Sequence, residues 1–195
     1  MKLHIYIFRH GETYFNERKR FTGWTDSKLT PKGMEDARKI AEKMKKEKFQ
    51  IAFKTRLSRS RDSLKQVLKY HPECRKVITD DRMIERSYGI LQGKFHKTVI
   101  TKYGKKQFDI WHRSYAVPPP GGESIKMVEK RVLSFIKDLM NLMKTKGANV
   151  AISAHGNSMR PFRRYFEHLT VKQMMKLENP HDDYFDYTVE FAENP

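Results

Sequence analysis

The apolar residues of this 195-residue chain fall into short continuous runs and into longer segments with helical spacing. Short runs rich in β-branched and aromatic residues are typical of strands buried on both faces of a sheet. They predict strands at residues 3–8, 49–53, 77–79 and 149–154. At residues 185–191 apolar and polar side chains alternate, which predicts a half-exposed strand near the sheet edge.

Helical spacing occupies most intervals between these strands. Thr30 is a suitable N-cap and Pro31 a suitable first residue for a helix that runs to about residue 48. The longest amphipathic pattern covers residues 128–143 and ends at Gly147. Shorter helices are predicted around residues 64–68, at about 158–168, and after a capping box at 170–173. This order of elements predicts an α/β fold, with a mostly parallel central sheet and helices on both faces.

Two segments interrupt the regular pattern. Residues 13–29 are polar and rich in turn formers, and a loop of that length in a compact domain is usually functional. Residues 86–122 are the least regular part and end in three prolines and two glycines, which predicts a cap over the sheet. The chain length suits one domain, so residues 1–195 are predicted to form a single domain with a cap insertion at about 86–122.

The formal net charge of +17 predicts attraction to polyanions such as phosphorylated metabolites, nucleic acid or acidic lipid. The basic residues are spread along the chain, and no zinc-finger, RNA-binding or basic-heptad motif accompanies them, so a nucleic-acid partner is disfavoured. No apolar stretch is long enough to predict a membrane span, and the N-terminal run is too short for a signal peptide. Cys74 is the single cysteine, which fits a reducing, cytoplasmic setting.

Histidines follow two of the predicted strands. Arg9, His10 and a glycine end the first strand, and His155 ends the strand at 149–154. A lone histidine is more often structural, but the carboxyl ends of parallel strands meet at one edge, where ligands bind in α/β folds. The pair therefore favours a shared site. Arg59 lies at another strand-to-helix junction, which is either an anion site or an ordinary solvated helix start.

These residues indicate phosphoryl transfer more than other chemistries. The chain has no P-loop, no nucleophile-elbow serine or cysteine, and no metal-ligand spacing. A histidine that attacks phosphorus needs a neutral nitrogen, with cations that hold the phosphoryl oxygens. Arginine suits the second task because its planar fork matches two oxygens at once.

Together these motifs resemble the histidine phosphatase superfamily, and within it the cofactor-dependent phosphoglycerate mutases. The opening signature corresponds to residues 8–13 with Asn16 and residues 21–26, and the closing signature to residues 153–160. Further matching segments are residues 29–33, 58–60, 85–89 and 111–115, so that the resemblance covers nearly the whole chain.

The resemblance implies a role for each matching residue. His10 would accept the phosphoryl group as a phosphohistidine, Arg9, Arg59 and His155 would hold its oxygens, and Glu85 would be the general acid/base. The implied substrate-binding residues are Asn16, Thr22, Gly23, Tyr88, Arg113, Gly156 and Asn157. The implied reaction interconverts 3-phosphoglycerate and 2-phosphoglycerate, primed by 2,3-bisphosphoglycerate without a metal. For Glu85 a surface salt bridge with a neighbouring arginine is the structural alternative.

Two positions depart from the mutase pattern. His112 replaces a second arginine beside Arg113, and His96, with Lys97 after it, replaces a substrate lysine. With titratable imidazoles in place of fixed cations, we expect weaker binding of the far end of a bisphosphate. Little sequence follows the last predicted strand, so a C-terminal tail that closes the site is expected to be mostly absent. Water exclusion separates transfer from hydrolysis, so a phosphatase acting on phosphate monoesters through the same phosphohistidine is the first alternative.

The second alternative is a catalytically idle, polyanion-binding protein. The five expected catalytic residues, which are present together, argue against it. The expected partner is a small phosphorylated metabolite, without a membrane or nucleic acid, and the chain is open to a monomer or a dimer.

Overall fold

A five-stranded sheet forms the centre of the computed structural model, which describes residues 1–192. The strands are β1 (Lys2–Arg9), β2 (Ile51–Lys54), β3 (Lys76–Thr79), β4 (Val150–Ala154) and β5 (Tyr184–Glu190). Their order across the sheet is β3-β2-β4-β1-β5. The first four run parallel and β5 pairs antiparallel with β1 at the edge, which confirms the predicted fold class.

Eight α-helices connect the strands within residues 1–192. They are α1 (Tyr14–Glu17), α2 (Pro31–Met44), α3 (Ser58–Leu68), α4 (His96–Tyr103), α5 (Lys105–Arg113), α6 (Ile125–Lys146), α7 (Gly156–Glu167) and α8 (Val171–Met175). The predicted boundaries have the expected causes: the Thr30 hydroxyl accepts from the Gly33 amide, and Gly147 ends α6 in the left-handed conformation. No helix in the described part of the chain is long and apolar enough to cross a membrane.

The two faces of the sheet carry separate hydrophobic clusters. On one face Ile5, Ile7 and Ile152 pack against the apolar stripe of α6 and against Phe162 of α7. On the other face the cluster contains Phe8, Phe49 and residues of α2 and α3, including Ile40 and Leu64. Helices therefore cover both faces, as the pattern of elements predicts.

Residues 86–122 contain more regular structure than the sequence predicts, namely the helices α4 and α5. Each helix is short, with eight residues in α4 and nine in α5, and Gly104 separates them, so neither fills the window over which a helical period is read. Val99 and Phe108 pack with Phe21 and Tyr88 in a third hydrophobic cluster, which supplies the missing stabilisation from tertiary contacts.

The loop after β1 lies directly on the start of α2. A Cβ atom added to Gly11 would be 1.9 Å from the Gly33 carbonyl oxygen, and one added to Gly33 would be 1.9 Å from the Glu12 carbonyl oxygen. Only glycine permits this approach of two main chains. The approach fixes the main chain next to His10.

Candidate active site

The carboxyl ends of β1 and β4 bring the two predicted histidines together. Arg9 pairs with Ala154 in the parallel register, so His10 and His155 are the next residues on adjacent strands. Their ring centroids are 5.1 Å apart. His10 lies in a pocket of about 280 Å³ at this edge of the sheet. The two imidazoles therefore lie next to each other at the carboxyl edge of the sheet, where the sequence places them.

Hydrogen bonds hold His10 in one neutral form. Its Nδ1 lies 2.7 Å from the carbonyl oxygen of Gly11, which can only accept, so Nδ1 carries the proton. Its Nε2 accepts from the Nε–H of Arg59 at 3.3 Å. Burial, followed by the positive charge of Arg59, lowers the pKa of His10 well below its usual value. An uncharged, nucleophilic Nε2 is therefore available in the pocket.

Arg59 is fixed by the first turn of α3. Its guanidinium donates to the carbonyl oxygens of Gly23 at 2.7 Å and Thr25 at 3.0 Å. Burial lowers the pKa of Arg59 to about 10, which leaves the group charged at neutral pH. Arg59 thus places a fixed positive charge beside the nucleophilic nitrogen, and the anion-site interpretation of this helix start is favoured over the solvated one.

Two buried polar atoms of the site, Arg9 Nε and His155 Nδ1, have no hydrogen-bond partner within residues 1–192. His155 is fully buried, and its Nε2 lies 2.7 Å from the Thr55 hydroxyl. Burial lowers the pKa of His155 well below its usual value, so the ring is neutral. An unpaired buried donor is costly, and an anion in the pocket, which Arg9 lines, would satisfy the Arg9 Nε–H.

Glu85 lies on the cap side of the pocket. Its carboxylate Oε1 accepts from the amides of Arg86 at 2.7 Å and Asn157 at 3.2 Å. Its carbonyl oxygen accepts from the Trp24 indole at 2.7 Å and from Arg131 at 3.0 Å. The side chain is buried and forms no ion pair in the described part of the chain, so the alternative of a surface salt bridge is wrong.

The structure brings all the sequence-predicted site residues together. His155 packs behind His10, and the others line the pocket: Arg9, His10, Asn16, Thr22, Gly23, Arg59, Glu85, Tyr88, Arg113, Gly156 and Asn157. Tyr88 accepts from the Asn157 side chain at 3.2 Å, which connects the cap to α7. A Cβ atom on Gly156 would be 3.3 Å from the Arg9 guanidinium, so the glycine leaves room for that group.

Sequence reasoning missed several lining residues. Six cationic side chains line the pocket against two carboxylates, Glu85 and Glu178. The unpredicted lining residues are Lys19, Arg20, Arg160, Met175, Glu178, Asn179 and His181. Arg160 belongs to the closing signature, but the segment after α8 has no periodic pattern that would have indicated its last three members. His181 donates from Nδ1 to the His10 carbonyl at 2.6 Å, and the two rings are 5.6 Å apart.

His96 and His112, which stand where the mutase pattern has cations, also line the pocket. Lys97 is exposed and does not line it. Burial, followed by the charge of Arg113, lowers the pKa of His112 to about 3. Burial and the charge of Lys19 lower the pKa of His96. The His112 ring is therefore uncharged at neutral pH and does not act as a cation in place of the missing arginine.

This neutrality predicts acid sensitivity. His10 and His155 have strongly lowered pKa values, and those of His112 and His181 are about 3 and about 4. Below about pH 6.5 the unfolded chain takes up protons that the folded chain does not. The contribution of these neutral histidines to the free energy of unfolding is fully present above that pH. As the pH falls below it, each histidine lowers the free energy of unfolding by up to about 1.4 kcal/mol per pH unit.

Urea unfolding at pH 7.5, 6.5 and 5.5 in phosphate-free buffer measures this loss. We expect the free energy of unfolding to fall by several kcal/mol between pH 7.5 and pH 5.5. The fall should be shallower for His112→Gln, which removes one of the four groups. A free energy of unfolding that is constant across this range would contradict the neutral assignment.

No group of three or more His, Cys, Asp or Glu side chains within residues 1–192 is arranged to hold a metal ion.

Comparisons with known proteins relate this geometry to a family. The family model described as histidine phosphatase superfamily (branch 1) matches residues 5–189. A 2,3-bisphosphoglycerate-dependent phosphoglycerate mutase from Parvibaculum lavamentivorans is 36% identical over 176 residues, covering 89% of this chain and 84% of its own. A phosphoglycerate mutase from Schizosaccharomyces pombe is 37% identical over 177 residues, with coverage of 89% and 84%. The solved structure of a mycobacterial glucosyl-3-phosphoglycerate phosphatase superposes with a TM-score of 0.81 at 22% identity, covering 94% of this chain and 90% of that one.

Proposed function

The chain belongs to the histidine phosphatase superfamily, and on that basis we propose that it is a 2,3-bisphosphoglycerate-dependent phosphoglycerate mutase. It would interconvert 3-phosphoglycerate and 2-phosphoglycerate through a phosphohistidine on His10. The observation that carries the proposal is the neutral His10 Nε2 held beside Arg59 in a strongly cationic pocket. The choice of mutase within the superfamily is supported by relatives of that name that are 36% and 37% identical over most of this chain.

The proposed transfer forms a bond between phosphorus and His10 Nε2 and breaks the bond between phosphorus and the ester oxygen. Arg59, beside Nε2, and Arg9, with its unpaired Nε, would hold the phosphoryl oxygens while the charge is redistributed. His155, whose Nε2 lies 2.7 Å from the Thr55 hydroxyl, packs against the His10 ring and is proposed to assist the transfer from there.

Glu85 would act as the general acid/base. It would give its proton to the ester oxygen that leaves phosphorus and recover a proton from the hydroxyl that next attacks the phosphohistidine. The main-chain amides of Arg86 and Asn157 hold one carboxylate oxygen, which leaves the other free to face the substrate. Asn16, Thr22, Gly23 and the remaining predicted lining residues are proposed as substrate-binding groups.

The charge of the pocket supports 2,3-bisphosphoglycerate, the primer in the name of the Parvibaculum relative, as the proposed primer of this chain. The buried Arg9 Nε–H, which has no partner within residues 1–192, and six lining cations match a ligand with several anionic oxygens. When bound, 2,3-bisphosphoglycerate supplies the first phosphoryl group for His10. Arg9, Arg59, Arg113 and Arg160 are the residues that would hold it.

Hydrolysis of phosphate monoesters is the second candidate. His96 and His112 stand in the pocket as uncharged rings, so the far end of a bisphosphate meets less positive charge than two further cations would supply. A phosphohistidine that reacts with water instead of a second hydroxyl would then be the outcome.

Phosphorus NMR of 3-phosphoglycerate with the purified protein, with and without catalytic 2,3-bisphosphoglycerate, separates the two candidates. We expect 2-phosphoglycerate to appear, and to appear faster when the bisphosphate is present. Free phosphate as the main product, at a rate that does not respond to the bisphosphate, would reject the mutase in favour of the phosphatase.

We further propose that residues 1–195 act as one domain, with the segment at about 86–122 as a cap that supplies one side of the pocket. The proposed partner is a small phosphorylated metabolite, in the cytoplasm. Nucleic-acid binding through the basic surface is the less favoured use of the charge of +17, and it would fade steeply with added salt.

A further inference from the structure

The peptide group between His10 and Gly11 is held from both sides by side chains of distant segments. Its carbonyl oxygen accepts from His181 Nδ1 at 2.6 Å, and its N–H donates to the Ser63 hydroxyl at 3.0 Å. His181 belongs to the segment between α8 and β5, and Ser63 lies in α3. The peptide that follows the nucleophile is therefore oriented by two hydrogen bonds that the strand itself does not supply.

The next carbonyl group along the chain determines which nitrogen of His10 carries the proton. The Gly11 carbonyl accepts from His10 Nδ1 at 2.7 Å, and this hydrogen bond leaves the free lone pair on Nε2. Because Gly11 has no side chain that restricts its main-chain dihedral angles, the direction of its carbonyl depends on how the neighbouring peptides are held. His181 holds the peptide before it, and Asp36 holds the peptide after it by accepting from the Glu12 amide at 3.1 Å.

His181 is itself held in place through the residue two positions before it. Asn179 is buried, and its carbonyl oxygen accepts from the Arg9 guanidinium at 3.1 Å. Its side-chain amide donates to the Gly156 carbonyl at 3.0 Å, and its side-chain oxygen accepts from Arg163 at 3.0 Å. These contacts tie the segment to β1 and α7, so the donor of His181 is kept at the carbonyl of the nucleophile.

His181 supplies this hydrogen bond without a positive charge. The His10 carbonyl can only accept, so His181 Nδ1 carries the proton. Burial, followed by the charge of Arg9, lowers the pKa of His181 to about 4; Lys32 acts in the same direction, and the Glu12 carboxylate opposes it. The ring is therefore neutral at pH 7, and it adds no charge that would oppose the positive charge developing on the His10 ring during attack on phosphorus.

We propose that His181 is a positioning residue for the nucleophile: by fixing the peptide between His10 and Gly11, it holds His10 in the tautomer with the proton on Nδ1 and the lone pair on Nε2. The inference rests on the proposed function, because it takes His10 to be the phosphoryl acceptor. His181 acts through the main chain of His10 and not through the substrate. Its loss should therefore lower kcat and leave KM nearly unchanged.

Two variants of nearly the same side-chain shape test the donor. His181→Asn places an amide N–H at the position of Nδ1, whereas His181→Leu has no donor there. His4→Leu is the matched control, because His4 lies on the strand that leads to His10 and its Nδ1 contacts Asp186 at 3.0 Å, outside the pocket. Each protein is checked by thermal unfolding and labelled with a heavy nitrogen isotope in its histidine rings. The His10 signals are identified by their absence from His10→Ala.

We expect nitrogen NMR of the parent, His181→Asn and His4→Leu to show His10 with a proton on Nδ1 and none on Nε2. In His181→Leu the two tautomers of His10 should mix, and kcat for 3-phosphoglycerate should fall about ten- to hundredfold, as for a misoriented reacting group. A His181→Leu protein whose His10 keeps the single tautomer would overturn the inference, whatever its rate. A His181→Asn protein as impaired as His181→Leu would overturn it as well.

The unmodified protein provides a second measurement if His181→Leu does not fold. The His181 signals, identified by their absence from His181→Asn, should show a proton on Nδ1 and none on Nε2 at neutral pH. A proton on Nε2 instead would remove the donor and overturn the inference. The proposed function fails separately if the parent protein does not convert 3-phosphoglycerate, since the tautomer of His10 is measured without substrate.

Discussion

Replacement of His10 by alanine is expected to lower turnover of 3-phosphoglycerate by on the order of 10⁴-fold or more, since removal of a covalent nucleophile removes the reaction path itself. The Nε2 of His10 is the neutral nitrogen beside Arg59, and the neighbouring imidazoles of His155 and His181 are not equivalent to it. His155 is fully buried behind His10, and His181 uses its Nδ1–H on the His10 carbonyl. Neither is placed to replace the nucleophile.

Initial rates and thermal unfolding of His10→Ala measure this loss and verify that the protein is folded. His168→Asn is a suitable control: His168 is exposed at the end of α7 in a left-handed conformation that asparagine tolerates. Its rate should match the parent. Substantial turnover by a folded His10→Ala protein would reject His10 as the phosphoryl acceptor.

Glu85→Gln is expected to have the second-largest effect, a loss of roughly 10²–10⁴-fold with 3-phosphoglycerate, the range for a missing general acid/base. Glutamine has nearly the same shape, and its carbonyl oxygen can still accept from the amides of Arg86 and Asn157. The pocket should therefore keep its geometry. The loss then reports proton transfer and not a collapsed site.

A change of leaving group distinguishes a loss of proton transfer from a collapse of the site. With p-nitrophenyl phosphate the departing phenolate needs no proton, so phosphorylation of His10 in Glu85→Gln should be far less impaired than with 3-phosphoglycerate. Glu178→Gln, the other carboxylate of the pocket, serves as the control for a change of charge alone. Equal losses with both substrates, or an equal loss in Glu178→Gln, would contradict the role of Glu85.

The fold and the centre of the site could be predicted because their causes are local in sequence. Buried strands give continuous apolar runs, and a histidine directly after such a run must lie at the carboxyl edge of a parallel sheet. His10 and His155 are next to each other for that reason alone. Caps and helix ends at Thr30 and Gly147 follow from side-chain chemistry that one or two residues determine.

The remaining features depend on contacts between distant segments. α4 and α5 are each too short to show a helical period, and they are stabilised by packing on Phe21, more than 70 positions away in the chain. His181 reaches the His10 carbonyl across 171 positions. The uncharged state of His112 likewise follows from burial and from Arg113, Arg86 and Arg160, which no sequence pattern around His112 reveals.

Transfer of phosphate through His10 is the central claim, and labelling the wild-type chain with 2,3-bisphosphoglycerate tests it most directly. After rapid quenching at alkaline pH, where phosphohistidine survives, peptide mass spectrometry locates the phosphoryl group. We expect one phosphoryl group, on His10, and we expect an isotopic label introduced from the bisphosphate to move from His10 into the phosphoglycerate pool when unlabelled 3-phosphoglycerate is added before the quench. A phosphoryl group on another residue, or an unlabelled protein that still converts 3-phosphoglycerate, would contradict it.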